Sequence, residues 1–141
     1  MILRVTGGTK YQKEVAEKAI YWTAKKLGID RMRTLFVQAV LTKIKDADGY
    51  CSMEDDKKRT FTIEIDKTLK LRQLIMTIVH ELVHVKQFAR NEMVDYPTNG
   101  RYRWKSKTVP QNTPYEKMPW EREASRLQEK LTDEFWREDL I

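Results

Sequence analysis

The sequence contains little cysteine, histidine, proline or glycine for a chain of 141 residues: one, two, four and five of each, respectively. The single cysteine, Cys51, excludes an internal disulfide framework, which suits a reducing compartment. No apolar run approaches the roughly 20 residues that a membrane-spanning helix needs. The N-terminal segment MILRVTGGTKYQKEV also lacks the apolar core of a secretory signal. We therefore expect a cytoplasmic protein without a membrane partner.

The charge of the chain is basic but evenly spread. Lysine and arginine number 27 against 21 acidic residues, which gives a formal net charge of +6. A positive balance favours anionic partners such as nucleic acid, although here basic and acidic residues are interleaved as on an ordinary solvated surface. The sequence shows no repeat, low-complexity tract or linker, so we expect a single domain over residues 1–141. No pattern predicts a particular oligomeric state.

Three segments have the periodicity of helices. Residues 11–27 are amphipathic, with Gly28 in the position expected just past a last helical turn. Residues 69–90 are apolar around most of the helix circumference, which predicts a helix buried in the middle of the domain. The third helix begins at Pro119, because proline is favoured in a first turn. Its apolar stripe consists of Trp120, Ala124, Leu127, Leu131 and Phe135.

Two further segments have the composition of strands. Residues 34–44 are rich in β-branched and aromatic types, and residues 60–66 alternate apolar with polar side chains. The turn formers of residues 45–59 predict a hairpin connection between them. Residues 91–118 are polar and irregular, with one short strand conceivable at RYRWKSKTV. The expected fold is therefore α+β, with a short mixed sheet, a buried central helix and a C-terminal helix that bears glutamates.

Both histidines of the chain lie in the middle of the apolar helix, within the segment IVHELVHVKQF. Positions four apart share one helix face, so His80 and His84 can bind one ion, and zinc accepts neutral imidazole nitrogen. Glu81 is rotated by about 100° from His80, so it would reach a water on that ion and act as general base. The pattern is the HExxH motif of metallopeptidases. The alternative, hydrogen-bonded core histidines, leaves three buried polar groups uncompensated.

A catalytic zinc takes a third protein ligand, and in this chain it must be a carboxylate. No third histidine exists, and Cys51 is expected in a distant turn. The helix that begins PWEREAS offers Glu121 and Glu123, which point about 160° apart, so only one can reach the ion. The apolar stripe does not decide between them. Without the HELVH motif, both would be ordinary acids in a first helical turn.

HELVH followed some tens of residues later by a helix bearing glutamate resembles the gluzincin metallopeptidases. The chain is most similar to their minimal single-domain members and to SprT-like proteins of phages and bacteria, with RYRWK and PYEKMPWEREA similar to phage-encoded members. The resemblance covers most of the chain and implies a zincin-like fold and zinc-dependent hydrolysis of a peptide or protein substrate. It also implies Glu121 as the third ligand, since Ala124 and Ser125 follow it at the family spacing, with Glu123 the second choice. Many members carry Asp or Asn where this chain has Ser125.

Further residues are candidates for a part in such a reaction. Three tyrosines of the long connection could donate to a developing oxyanion, or could simply be packed aromatics. They are Tyr96, Tyr102 and Tyr115. The resemblance also implies that strand 60–66 lines the cleft and binds substrate by β-augmentation. Glu64 and Asp66 would then face the substrate or, alternatively, form a solvated face.

Two other hypotheses follow from the sequence. Residues 101–107, RYRWKSK, place basic side chains beside aromatics, a pattern found in nucleic-acid binding and equally in an ordinary half-buried strand. An alternative function is therefore a nucleic-acid-associated protein with a structural or regulatory metal site and salt-dependent DNA association. In a latent enzyme, the C-terminal segment REDLI would occupy the cleft, and trimming it would raise activity.

Overall fold

The computed structural model describes residues 1–54, 59–96 and 101–141, which form an α+β domain with three helices and two sheets. The helices are α1 (Lys10–Leu27), α2 (Leu71–Ala89) and α3 (Pro119–Arg137). The strands are β1 (Ile2–Gly7), β2 (Phe36–Thr42), β3 (Gly49–Met53), β4 (Thr60–Asp66), β5 (Met93–Tyr96), β6 (Arg101–Trp104) and β7 (Lys107–Pro110). A one-turn 3-10 helix, Tyr115–Lys117, precedes α3. No helix within these residues is long and apolar enough to cross a membrane.

The larger sheet is mixed and has the strand order β1–β2–β4–β3. β2 pairs in parallel with β1 and β4, whereas β3 is antiparallel to β4 and forms one edge. The predicted hairpin between residues 34–44 and 60–66 is therefore wrong, because these strands are parallel neighbours. The antiparallel partner of β4 is β3, which lies inside the segment expected to be only a turn. β1 was also missed, and both strands are short and lack a clean apolar alternation.

The core lies between the larger sheet, α1 and α2. The alternating apolar side chains of β2 and β4 are at most 2 % exposed. They are Val37, Ala39, Leu41, Phe61, Ile63 and Ile65. α2 packs against the sheet and α1, and α3 packs against another side of α2. This central position explains why α2 is apolar around most of its circumference, as predicted.

The ends of α1 are closed by local side-chain and backbone contacts. Thr9 and Gln12 form a reciprocal capping box, in which each side chain accepts a hydrogen bond from the other residue's backbone N–H. Gly28 ends the helix with a φ of 73°, in the left-handed region that favours glycine. The predicted helix over residues 11–27 is confirmed, as is the start of α3 at Pro119.

Residues 91–118 are more regular than expected, because they contain a second, three-stranded antiparallel sheet in the order β5–β6–β7. β6 and β7 are joined by Lys105 and Ser106, whose φ angles are 47° and 73°. Positive φ at both central residues is the geometry of a tight hairpin turn whose twist matches that of its strands. Lysine and serine are not the residues usually found there, which is why the turn was not predicted.

β6 alternates between the interior and solvent. Tyr102 and Trp104 face inward, with ring centroids 5.1 and 6.3 Å from that of Trp120 at the start of α3. Arg101 and Arg103 are exposed. The alternation at residues 101–104 is therefore that of a half-buried strand, the more ordinary of the two interpretations of RYRWKSK.

The C-terminal segment packs against α1. Lys18 Nζ donates a hydrogen bond to the carbonyl oxygen of Leu140 at 3.0 Å, and Trp22 Nε1 donates to Glu138 Oε2 at 2.5 Å. Ile141 is partly buried against the core. The hypothesis that REDLI occupies the cleft is therefore wrong, since its residues are held on the surface of α1.

Candidate metal centre

α2 and α3 bring two histidines and one glutamate together. His84 Nε2 lies 3.1 Å from Glu121 Oε1, and His80 Nε2 lies 3.4 Å from Glu121 Oε2. The two imidazole Nε2 atoms are 3.2 Å apart. Among the described residues, this is the one group of three or more histidine, cysteine, aspartate or glutamate side chains whose ligand atoms all lie within 4.8 Å of one another. The two histidines of the HExxH motif are therefore on one face of α2, close enough to bind one ion.

The separations within this cluster suit a tetrahedral ion. Zinc bonds to nitrogen and oxygen ligands at about 2.0–2.2 Å. Two such ligands at a tetrahedral angle are then about 3.3–3.5 Å apart. The two Nε2 atoms are 3.2 Å apart, and each lies 3.1 or 3.4 Å from its own oxygen of Glu121, within a few tenths of an ångström of this value. His80, His84 and Glu121 thus fit one zinc ion with little rearrangement.

A buried glutamine fixes the tautomer of His84. Gln87 is fully buried, and its Nε2 donates to the carbonyl oxygen of Trp120 at 2.9 Å and to Glu123 Oε1 at 3.1 Å. Since both of these partners only accept, the carboxamide oxygen of Gln87 must face His84 Nδ1, which lies 2.8 Å away. Nδ1 of His84 is therefore the protonated nitrogen, and in the neutral ring Nε2 presents a lone pair towards Glu121.

Electrostatics then require a positive charge at the centre of the cluster. Burial lowers the pKa of His84, but the hydrogen bond and charge of Glu121 outweigh burial and hold this pKa above its ordinary value. Burial acts against ionisation of Glu121, but hydrogen bonds from His80, His84 and Tyr115 keep its pKa well below the ordinary range. Protonation of His84 or binding of a divalent cation would each place a positive charge beside the Glu121 carboxylate.

His80 has a glutamine partner of its own. Its Nδ1 lies 2.7 Å from Gln128 Oε1, the geometry of an Nδ1–H donor to a carboxamide oxygen. Gln128 is two helical turns after Glu121, on the same face of α3, and Gln87 is one turn after His84 on α2. These spacings were the signal that could have identified both glutamines. Ser125, the position where the resemblance places such a residue, is exposed and lines a third cavity together with Tyr115 and Glu121.

Glu123 faces away from the histidines. Its Oε1 lies 2.9 Å from Lys86 Nζ, and its Oε2 lies 3.6 Å from Lys105 Nζ in the β6–β7 turn. Burial opposes ionisation of Glu123, but the hydrogen bonds from Lys86 and Gln87 lower its pKa below the ordinary value. Of the two candidate glutamates, Glu121 therefore contacts the histidines and Glu123 does not; that Glu121 binds a metal ion stays a prediction.

Glu81 lies beside the histidines and faces the edge strand β3. It is 7 % exposed, and a Cβ on Gly49 would come within 3.4 Å of Glu81 Cγ, so β3 passes very close to the base candidate. Burial raises the pKa of Glu81; the charges of His84 and His80 oppose this effect, and that of Glu121 adds to it. Glu81 is therefore a carboxylate with raised basicity beside the cluster.

Two cavities are lined by both His80 and Glu81. The larger, of about 410 Å³, has His80, Glu81, His84 and Glu121 in its wall, and its other side chains are mainly apolar. These include Tyr50, Cys51, Phe88, Met93 and Trp120. The other cavity, of about 300 Å³, shares His80 and Glu81 but is otherwise mostly polar. It is lined by Asp48, Gln73, Thr77 and Gln128 among others.

The cleft runs along β3 rather than β4. Gly49 of β3 lines both cavities, whereas β4 is an interior strand with neighbours on both sides. The expectation that strand 60–66 binds an extended substrate is therefore wrong. Asp66 faces neither substrate nor solvent, because it is buried and accepts hydrogen bonds from the backbone N–H and hydroxyl of Thr68 at 2.9 and 2.7 Å. Glu64 is half-buried.

Cys51 is closer to the site than expected. It belongs to β3 and lines the larger cavity, rather than lying in a distant turn. Burial, reinforced by the charge of Glu81, raises the pKa of the Cys51 thiol far above its ordinary value. A thiol that stays protonated is a poor metal ligand, so the carboxylate remains the third ligand that the geometry favours.

One tyrosine is distinguished by its position. The hydroxyl of Tyr115 donates to Glu121 Oε2 at 2.6 Å, and the ring lines both cavities beside the cluster. Burial and the hydrogen bond to Glu121 raise the pKa of Tyr115 above its ordinary value, so it remains a donor. Tyr102 packs against Trp120 instead. The side chain of Tyr96 lies outside the described part of the structure.

Comparison of the chain with protein-family models, with curated proteins and with solved structures finds no match. The functional interpretation therefore depends on the chemistry of these residues.

Proposed function

We propose that the protein is a zinc-dependent metallopeptidase of gluzincin type with a zincin-like fold. The observation that carries this proposal is the convergence of His80 Nε2, His84 Nε2 and the Glu121 carboxylate at separations of 3.1–3.4 Å. Two histidines and one glutamate are the ligand set of catalytic zinc sites that keep a fourth position open. Zinc in this position would act as a Lewis acid towards a peptide carbonyl and acidify a water molecule.

Glu81 is the proposed general base. Its carboxylate is within the wall of both cavities and follows His80 directly in α2, but it is not part of the three-ligand cluster. A carboxylate with a raised pKa accepts a proton from water more readily and can pass it on to the leaving amine. Peptide hydrolysis therefore needs no further acid–base residue in this cleft.

Tyr115 is the proposed donor to the developing oxyanion. Its hydroxyl lies 2.6 Å from Glu121 Oε2, and Tyr115 lines both cavities that His80 and Glu81 line, so a donor stands beside the ligand cluster. A donor aimed at the oxyanion stabilises the transition state more than the ground state. Tyr115 is also 63 % exposed, which leaves the ring free to adjust when a substrate enters.

The substrate is proposed to be an extended peptide that pairs with β3. As the edge strand beside the cleft, β3 offers backbone groups for β-augmentation, which gives affinity without requiring a particular sequence. The mainly apolar cavity and the mainly polar cavity, both lined by Gly49 of β3, would then receive different side chains of the substrate.

A second candidate function is nucleic-acid association, which one observation favours. Arg101, Arg103, Lys105 and Lys107 are all exposed around the β6–β7 hairpin. Tyr102 and Trp104 are turned inward, so base stacking is not offered by this hairpin and binding would depend on phosphate contacts. Such binding would weaken steeply with salt, whereas peptide hydrolysis would not.

Metal content and peptidase activity together test the main proposal. Purified wild-type protein is expected to hold near one zinc per chain. His84→Ala should lose the metal, and Glu81→Gln should keep it but lose hydrolysis of an unstructured protein substrate. Glu129→Gln, which removes an exposed carboxylate elsewhere on α3, serves as the charge-matched control. Wild-type protein that neither contains zinc nor takes it up would overturn the proposal.

A further inference from the structure

Both the oxygen and the nitrogen of the Gln87 carboxamide have hydrogen-bond partners in the protein. Its oxygen accepts from His84 Nδ1, and its nitrogen donates to the carbonyl oxygen of Trp120 and to Glu123 Oε1. The side chain is fully buried, so water does not substitute for any of these partners. The orientation of this one amide therefore favours Nδ1 as the nitrogen that carries the proton of a neutral His84 ring.

A reversed amide would produce the wrong tautomer for metal binding. The Gln87 nitrogen would then donate to His84 Nδ1, the proton of the neutral ring would move to Nε2, and the nitrogen that faces Glu121 would have no lone pair to offer. The reversed oxygen would also face two acceptors, the Trp120 carbonyl and Glu123. Of these two, only Glu123 is a side chain, so it is the one whose removal can be tested.

Glu123 is itself held by two lysines. Its Oε1 accepts from Lys86 on α2 at 2.9 Å, and its Oε2 lies 3.6 Å from Lys105 in the β6–β7 turn. Lys86 also lies 2.9 Å from Glu92, which links the end of α2 to the same cluster. The carboxylate oxygen that meets Gln87 is thus placed by contacts from α2 and the second sheet, none of which touches the metal ligands directly.

We propose that Glu123 is a positioning residue of the metal centre, which holds the Gln87 carboxamide in the orientation that leaves Nε2 of His84 free to bind zinc. This inference rests on the proposed zinc site. When only a fraction of the protein has the binding-competent tautomer, the apparent dissociation constant rises in inverse proportion to that fraction. Partners that orient a metal-bound histidine typically contribute 10- to 100-fold to metal affinity. Glu123 is separated from His84 by one additional hydrogen bond, through Gln87, so we expect it to contribute about tenfold.

The test compares two neutral replacements of Glu123. Glu123→Gln keeps an acceptor oxygen, which Lys86 would orient towards Gln87, whereas Glu123→Met removes every acceptor. Zinc affinity is measured by competition with a chromogenic chelator, and the tautomer of His84 by ¹⁵N NMR of the imidazole in metal-free protein at alkaline pH. Glu123→Met should bind zinc about tenfold more weakly and show Nε2–H signal at His84, while Glu123→Gln and the control Glu129→Gln should resemble wild type.

The outcomes separate positioning from charge and from misfolding. Equal losses of zinc affinity in Glu123→Met and Glu123→Gln, with an unchanged tautomer, would show an effect of charge alone and overturn the proposal. Wild-type affinity and tautomer in Glu123→Met would also overturn it. If Glu123→Met does not fold, the same measurements on Glu123→Ala and Glu123→Gln decide the question. If wild-type protein binds no zinc, the proposed function fails, yet the His84 tautomer still reports whether Glu123 orients Gln87.

Discussion

His84 and His80 share one ligand cluster but are held by different parts of the protein. Nδ1 of His84 meets Gln87, which is fully buried and bound in turn by Trp120 and Glu123. Nδ1 of His80 meets Gln128, which is only half-buried and lines the polar cavity. One histidine is therefore oriented by the interior of the domain and the other by the wall of the cleft. This difference predicts unequal responses to equivalent substitutions.

The largest expected effect comes from removal of either histidine. His84→Ala and His80→Ala should each weaken zinc binding by more than about 100-fold, since loss of a ligand exceeds loss of an orienting partner. Only His84→Ala should also lower the free energy of unfolding of the metal-free protein by about 1–3 kcal/mol, because it leaves the buried Gln87 oxygen without a donor. Chelator competition and urea unfolding measure the two effects. Equal unfolding free energies for the two variants would contradict the comparison.

The next prediction concerns the two glutamines. Gln87→Leu should weaken zinc binding by about 10- to 100-fold and Gln128→Leu by no more than the lower end of that range. The reason is that Gln128 is half-buried, so water can replace it, whereas Gln87 is fully buried. Zinc affinity of the two variants, measured side by side with Gln73→Leu as a control in the polar cavity, tests this ranking. The reverse ranking would place the main orienting contact at His80.

A smaller effect is expected from pH. His84 has a raised pKa in the metal-free protein, so its protonated form stabilises the fold at low pH, and this contribution is lost as pH rises through that pKa. Zinc must displace this proton, so affinity should fall as pH is lowered and zinc binding near neutral pH should release protons. Calorimetric titrations in two buffers of different ionisation enthalpy measure the release. An enthalpy that is independent of the buffer would show that His84 is already neutral.

The smallest effect on metal binding is expected on the cleft side, at Tyr115. Tyr115→Phe should weaken zinc binding less than Gln87→Leu does, because Tyr115 is 63 % exposed and water can replace its hydroxyl as the donor to Glu121 Oε2. It should lower kcat for peptide hydrolysis by about 100-fold if the hydroxyl stabilises the oxyanion. Tyr102→Phe is the matched control, since that ring packs on Trp120. Equal kcat values for wild type and Tyr115→Phe would exclude the role proposed for this hydroxyl.

The parts of the site that depend on one helix were predictable from the sequence. His80, Glu81 and His84 lie within five consecutive residues, so the geometry of α2 alone determines how they are placed. The choice between Glu121 and Glu123 was not decided by the residues themselves, because it depends on how α3 is rotated against α2. Trp120 sets that rotation through its burial and its contacts with Tyr102 and Trp104.

The fold was predictable where the hydrophobic pattern was long and strong. α1, α2, α3 and the two inner strands β2 and β4 all have such a pattern. The order of the strands was not predictable, because parallel pairing of β2 with β4 joins residues that are distant in the chain and leaves no local signal. The edge strand β3, with the sequence GYCSM, is only five residues long. Its importance comes from its place beside Glu81, which only the assembled sheet reveals.

The packing of α2 between the larger sheet and α3 has a consequence for hydrogen exchange. Backbone amides in the middle of α2 should exchange only when the whole domain unfolds, whereas the first turn of α3 has no side-chain cap and follows the exposed Tyr115–Lys117 turn, so it can open locally. His80 and His84 thus belong to the slowest-exchanging element, and Glu121 to a much faster one. An ion bound by both elements would hold the start of α3 against α2 and slow hydrogen exchange there. The exchange rates of the amides of residues 119–123 should therefore be the most sensitive to metal binding.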